Sequence, residues 1–143
     1  VKRGFLPDAN ILLFALNQDS RHHHPCKSWL ETATASGHRL LVNELTECAL
    51  LRISTLPALR LSMVPISLQF WNALLDYPHT ERCSPRSLHR EIFQRFVTDL
   101  NLCGNDLNDA WLAALAIERN ATLVSLDDGF SRFRGLDWIT PAR

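Results

Sequence analysis

The chain has 143 residues, enough to bury a real core in one domain and too few for two ordinary ones. Its 46% hydrophobic and 21% charged residues exclude a disordered polymer, and fifteen Lys and Arg against fifteen Asp and Glu exclude a global charge that would by itself draw in a polyanion. The longest apolar stretches, Ile11 to Leu16 and Ala110 to Ile117, are too short to span a membrane and no signal peptide precedes the first, so a cytoplasmic protein is expected.

Phe5 and Leu6 lead into Pro7 and Asp8, which predicts a short buried strand ending near Asp8, with Pro7 limiting central pairing because it lacks an N–H. Ile11 to Leu16 then form a helix closed by the polar stretch Asn17 to His24. Pro25 sits in the first turn of a second helix carrying Trp29 and Leu30, which Gly37 ends. Arg39 to Val42 predicts a second strand, and Asn43 a cap for a helix from Glu44 to about Ser54. On that helix Glu44, Glu47 and Leu51 share a side.

Pro57 and Pro65 bracket a less regular segment containing Leu59, Leu61 and Met63, and a helix runs from Ser67 to just before Pro78. Glu81 to Pro85 predicts a short edge strand. Leu88, Ile92, Phe93 and Phe96 recur at helical spacing, giving a helix to about Asp99. Asn101 to Asn108 is polar, contains Gly104 and predicts a loop. Ala110 to Ile117 has the all-round apolar pattern of a helix buried against a sheet. Thr122 to Leu126 predicts the strongest strand, followed by a turn at Asp127, Asp128 and Gly129, and Trp138 with Ile139 predicts a last one. Strands alternating with helices imply an α/β fold with a parallel sheet covered on both faces, whose site forms beyond the C-terminal ends of the strands.

Those elements carry Asp8, Glu47, Asp109 and Asp127 to one edge of the sheet. Carboxylates gathered there repel one another and raise each other's pKa unless a cation sits among them. Mg²⁺ or Mn²⁺ suits an all-oxygen donor set, and the implied chemistry is metal-assisted phosphodiester hydrolysis, with one ion or two. Glu44 competes with Glu47, and Asp128 competes with Asp127. Asp109 can double as the third-position acid of a capping box begun by Asp106. Asn10 is placed to orient Asp8, and Ser125 to hydrogen-bond a ligand carboxylate.

Other clusters carry less. Lys2 with Arg3, and Arg82 with Arg86 and Arg90, read as solvated faces. Three consecutive histidines, His22 to His24, cannot all face one point, so they do not predict zinc. Cys26, Cys48, Cys83 and Cys103 are widely spread and read as free thiols of a reducing compartment. Trp29, Trp71, Trp111 and Trp138 read as core or interface, Trp111 nearest a dimer surface or the site edge.

Four stretches in order resemble the motifs of the PIN-domain ribonucleases, and more narrowly of the VapC-type toxins of bacterial toxin–antitoxin modules, over nearly the whole chain. Leu6-Pro7-Asp8-Ala9-Asn10-Ile11-Leu12-Leu13 is similar to the first motif and Leu45-Thr46-Glu47-Cys48-Ala49-Leu50-Leu51-Arg52 to the second. Asn108-Asp109-Ala110-Trp111-Leu112-Ala113-Ala114-Leu115-Ala116 resembles the third, and Leu123-Val124-Ser125-Leu126-Asp127 with Gly129-Phe130 the fourth. The resemblance implies a sheet of four or five parallel strands with helices on both sides, Mg²⁺ or Mn²⁺ as cofactor, RNA as substrate, a homodimer, and a cognate antitoxin as partner. Pro7 departs from the family's aliphatic residue, and Asp128 stands where the family often carries a base. A catalytically silent relative working through protein contacts is the rival expectation. Phosphatase chemistry with Asp8 as nucleophile lacks a second acid, since position 10 is Asn.

Overall fold

The structure, a computed structural model, describes residues 3–58 and 64–141. Five strands and six helices alternate along these residues: β1 (Gly4–Pro7), α1 (Ala9–Leu16), α2 (His23–Ala35), β2 (Arg39–Val42), α3 (Glu44–Ser54), α4 (Val64–Asp76), β3 (Thr80–Arg82), α5 (Ser87–Asp99), α6 (Asp106–Glu118), β4 (Thr122–Val124) and β5 (Trp138–Ile139), with a 3₁₀ turn at Asp128–Arg132 between the last two strands. The sheet is wholly parallel in the order β3-β2-β1-β4-β5, as the alternating pattern predicts. The chain builds outward from β1 to β3 on one side, then crosses to β4 and β5 on the other. The switch of direction lies between β1 and β4, the place in an open parallel sheet where a crevice forms beyond the strand ends.

Alternate strand residues enter opposite layers. Leu6, Leu41 and Leu123 point into a core with Phe96, Ala113, Leu115, Phe130 and Phe133 from α5, α6 and the turn. Phe5, Val42 and Val124 face the other layer, where Ile11, Leu12, Cys26, Trp29, Leu50 and Trp71 pack. Each fully buried Leu removes enough apolar surface from water to contribute about 1.5–3 kcal/mol. On α6 the alanines 110, 113, 114 and 116 are all buried, and their small size lets the helix lie close against the sheet.

Local chemistry sets the element ends. Asn43 caps α3 by accepting from Thr46 N at 2.9 Å. Helices α2, α5 and α6 end in residues of left-handed conformation, Gly37 at φ 72°, Asn101 at 50° and Asn120 at 52°. In each case the next residue's N–H reaches back to close the last turn: His38 to Ala33, Leu102 to Val97, and Ala121 to Ala116.

Several boundaries differ from expectation. Helix α4 starts at Val64 rather than Ser67, because Pro65 is tolerated in a first turn whose N–H groups need no partner within the helix. Helix α6 starts at Asp106, so the expected loop over Asn101 to Asn108 is shorter. Strand β3 covers Thr80–Arg82 at the sheet edge rather than reaching Pro85. Strand β4 ends at Val124, before Ser125 and Leu126. Pairing of β1 with β4 runs through Pro7↔Val124, and Asp8 N continues it to Val124 O at 2.8 Å, so Pro7 does not cut the ladder short on that side. Leu59, Leu61, Met63 and Lys2 lie outside the described residues. The four cysteines are free, Cys26 and Cys83 buried, Cys48 and Cys103 exposed. No helix among the described residues is long and apolar enough to cross a membrane.

Candidate functional site

The switch point carries Asp8 directly after β1 and Ser125 to Asp127 directly after β4. Asp8 caps α1, its Oδ1 accepting from Ala9 N at 2.7 Å. Its other oxygen, Oδ2, accepts from Ser125 Oγ at 2.9 Å, a bond across 117 residues of sequence. Ser125 is 0% exposed. Its hydroxyl also accepts from Asn10 Nδ2 at 3.0 Å and from Asp127 N at 3.1 Å, so its bonding capacity is filled. Asn10 Oδ1 in turn accepts from Leu126 N at 3.4 Å. One buried hydroxyl thus fixes Asp8, Asn10 and the backbone at Asp127 together, and Trp138 Nε1 holds the same segment by donating to Ser125 O at 3.0 Å.

Asp127 is exposed and caps the 3₁₀ turn, Oδ1 accepting from Gly129 N at 2.8 Å. Asp128 is exposed in the first position of that turn. Asp109 lies in the first turn of α6, its side chain 22% exposed, with Arg132 Nη2 3.3 Å from Oδ2. The expected capping box is not formed. Asp106 is itself the first helical residue, and the residue before it, Asn105, is helical in backbone and makes no side-chain capping bond. Asp106 instead faces Arg132 at 3.5 Å.

Glu47 is half-buried on α3 and Glu44 beside it is exposed. Among the described residues neither bonds to the other acids. A cleft of about 420 Å³ is lined by Asp8, Asn10, Thr46, Arg52, Asn105, Asn108 and Asp109 with several apolar side chains, and neither glutamate is part of that lining. The charges of Asp8, Asp109 and Asp127 act on one another, while Asp127 and Glu47 both lie outside that lining.

The aspartate group is strained in its ionised form. Burial pushes the Asp8 carboxyl above its ordinary range; the bonds from Ser125 and Ala9 oppose the rise and the charge of Asp127 adds to it. Burial first, and then the charges of Asp127, Asp8 and Asp106, together raise Asp109 to about 6 against the pull of Arg132.

As they stand, no three His, Cys, Asp or Glu side chains among the described residues form a group that could hold a metal ion. The reason is visible in the bonds: Asp8 and Asp127 are turned to cap their own elements and Asp109 to Arg132. The donor chemistry nevertheless fits a hard cation. The acids offer oxygen only, two of them carry a charge that burial and their neighbours disfavour, and Thr46 Oγ1, 2% exposed by residue, is buried at the cleft without a hydrogen-bond partner. The histidines do other work: His23 Nδ1 bonds Phe14 O at 2.9 Å, and Arg21 Nε donates to His22 Nε2 at 3.3 Å. Arg132 had no signal in the sequence, since its contacts are 23 residues away in the chain and fall outside any helical period. Asn108 and Asn105, hidden inside an apparent loop, are first-turn and capping positions of α6 that line the cleft.

A family model described as PIN domain matches residues 5–136. The chain belongs to the PIN-domain family. Curated relatives of this PIN domain include Ribonuclease VapC37 of Mycobacterium tuberculosis, 35% identical over 136 residues that cover 94% of each chain. Ribonuclease VapC43 of the same organism is 36% identical over 138 residues, covering 94% of this chain and 92% of that one. In fold the PIN domain matches a chain of the crystal structure of VapBC2 from Rickettsia felis bound to a DNA fragment from their promoter, with a TM-score of 0.74 at 19% identity, over 97% of this chain and 99% of that one. A chain of VapBC-1 from nontypeable Haemophilus influenzae gives 0.70, also at 19% identity, over 96% and 97%.

Proposed function

We propose that this PIN domain is a metal-dependent endoribonuclease of the VapC type, the toxin of a toxin–antitoxin pair. The observation that carries the reading is the gathering of Asp8, Asp109 and Asp127 at the switch point of the sheet, two of them with pKa values raised by burial and like charge. Relatives called ribonucleases match along nearly the whole chain, which supports the same chemistry here.

In this reading Asp8, Asp109 and Asp127, with Glu47 turning in from α3, would hold Mg²⁺ or Mn²⁺. Such an ion supplies a water of lowered pKa and shields the negative charge that grows on the phosphate oxygens. The protein's own part is orientation. Ser125 and Asn10 hold Asp8 to one rotamer, which keeps a ligand oxygen in place before substrate arrives. Asp128 and Asp106 add negative charge at the rim. Arg52, Asn105 and Asn108 line the cleft, where a guanidinium and two amides are suited to phosphate and ribose oxygens of a single RNA strand.

The partner in this reading is a cognate antitoxin that places an Arg or Lys among the carboxylates and replaces the charge of the ion. A homodimer belongs to it as well, and the exposed Val64, Ile66 and Leu68 on α4 are apolar surface of the kind a second chain covers.

The test is cleavage of RNA in Mg²⁺ or Mn²⁺ by the wild type and by Asp8→Asn, which keeps the cap acceptor and removes the charge. Cleavage by the wild type, stopped by chelation and lost in the variant, is the expected result; equal cleavage by both refutes the assignment.

A further inference from the structure

The acidic centre already contains a positive charge supplied by the protein. Arg132 closes the 3₁₀ turn after β4 and sets Nη2 3.3 Å from Asp109 Oδ2 and 3.5 Å from Asp106 Oδ1. Its guanidinium carbon stands 4.9 Å from the centre of the Phe133 ring, a contact that favours a cation. The grip is incomplete. One terminal nitrogen serves both carboxylates, while Nε is buried without a hydrogen-bond partner. A carboxylate held by the full planar fork would take two parallel bonds.

Arg132 also forms part of the wall of a second cavity, of about 660 Å³, together with Ile92, Phe96, Ile117, Asp99, Arg95 and Arg134. That cavity offers the side chain room to withdraw and apolar surface for its stem, while Arg95 and Arg134 beside Asp99 keep its head from settling there and favour its return to Asp109 when the ion leaves.

We propose that Arg132 is an internal counter-ion that competes with divalent metal for Asp109 and so sets how tightly the centre takes up the ion. This rests on the metal-dependent reading given above. A guanidinium stays charged at every pH in which the protein is folded, so the competition responds to metal concentration and not to protonation. By linkage, the factor by which Arg132 weakens metal binding equals the factor by which the metal weakens the Arg132–Asp109 pair. With both partners partly solvated, that factor is about 2- to 5-fold. Arg132 is therefore a positioning residue, holding Asp109 in the cleft when the ion is absent and ceding it when the ion is bound.

Titration calorimetry of the full chain with Mn²⁺, without RNA, tests this on the wild type, Arg132→Met and Arg132→Lys. Methionine keeps an unbranched stem against Phe133 and removes the charge. The Met variant should bind Mn²⁺ about 2- to 5-fold more tightly than the wild type, and the Lys variant should stay closer to the wild type. Unchanged or weaker binding by a folded Met variant overturns the proposal. Binding of Mn²⁺ by neither wild type nor variants refutes the metal reading itself. Should the Met variant not fold, the wild type decides: saturation with Mg²⁺ must shift the Arg132 Nε–H resonance, assigned by its loss in Arg132→Lys. A stationary resonance, while the Asp109 amide moves, overturns the role.

Discussion

Asp109→Asn should make the metal-free protein more stable at neutral pH. The Asp109 carboxyl, ordinarily near 3.8, is raised to about 6 in the folded chain. An acid whose folded pKa lies above its unfolded one leaves stability intact below the unfolded value, and lowers it progressively as pH rises from the unfolded value to the folded one. Ionisation of Asp109 therefore costs nothing well below pH 3.8 and reaches its full cost above about pH 6. A difference of about two units corresponds to about 3 kcal/mol. Asparagine avoids that cost, which already includes the opposing pull of Arg132. The net gain expected at pH 7.5 is about 3 kcal/mol, shrinking to a fraction of that by pH 4. Urea unfolding in chelator at both pH values measures it. A destabilised variant at pH 7.5, or an equal gain at the two pH values, refutes the reasoning. The same substitution removes a charged oxygen from the centre, so RNA cleavage should fall as stability rises, the trade expected where a site is kept under repulsion.

Ser125→Ala should act in the opposite sense, because it takes the donor from Asp8 and strands Asn10 Nδ2 and Asp127 N at a position 0% exposed. A loss of about 2–4 kcal/mol in urea unfolding is expected, and stability within 0.5 kcal/mol of wild type, roughly the spread of a neutral surface change, would contradict the hub described for this hydroxyl. Glu118→Ala probes a site far from the cleft: Glu118 accepts from the backbone N–H groups of Arg86, Leu88 and His89 at 2.6, 2.9 and 2.9 Å. It caps α5, whose own N-cap residue Arg86 makes no side-chain capping bond. Its removal should cost about 1–2 kcal/mol while the folded variant cuts RNA at the wild-type rate; a variant of full stability refutes the cap.

Sequence pattern was most legible where one local signal dominates. Strand β2 and helix α3 have the expected bounds, Arg39–Val42 and Glu44–Ser54, because four consecutive strand residues meet an asparagine able to cap. The last strand, Trp138–Ile139, is likewise as expected. The start of α6 was hidden because Asp106, Leu107 and Asn108 read as loop: a first turn needs no apolar residue, and its free N–H groups welcome acids. For the same reason Asp106 reads as a cap in the sequence although it is the first helical residue. Order along the chain was enough to place Asp8, Asp109 and Asp127 at one sheet edge. It does not report rotamers, so the sideways engagement of each carboxylate and the absence of Glu47 from the cleft lining emerge only from the folded structure. Arg132 illustrates the general limit, since periodicity within one element says nothing about a cation delivered from another.

The pairing of β1 with β4 joins Phe5 to Thr122 and Leu6 to Leu123, and so leaves the centre incomplete until β4 and the residues just after it have been made. A nascent chain can form α1, β2 and α3 early, yet Asp8 stays without its serine until residue 125 has cleared the ribosome. Such distant pairings also form slowly, because a long loop must close before they repay it. For a protein that cuts RNA, the topology would act as a timer that keeps each growing polypeptide harmless to its own messenger.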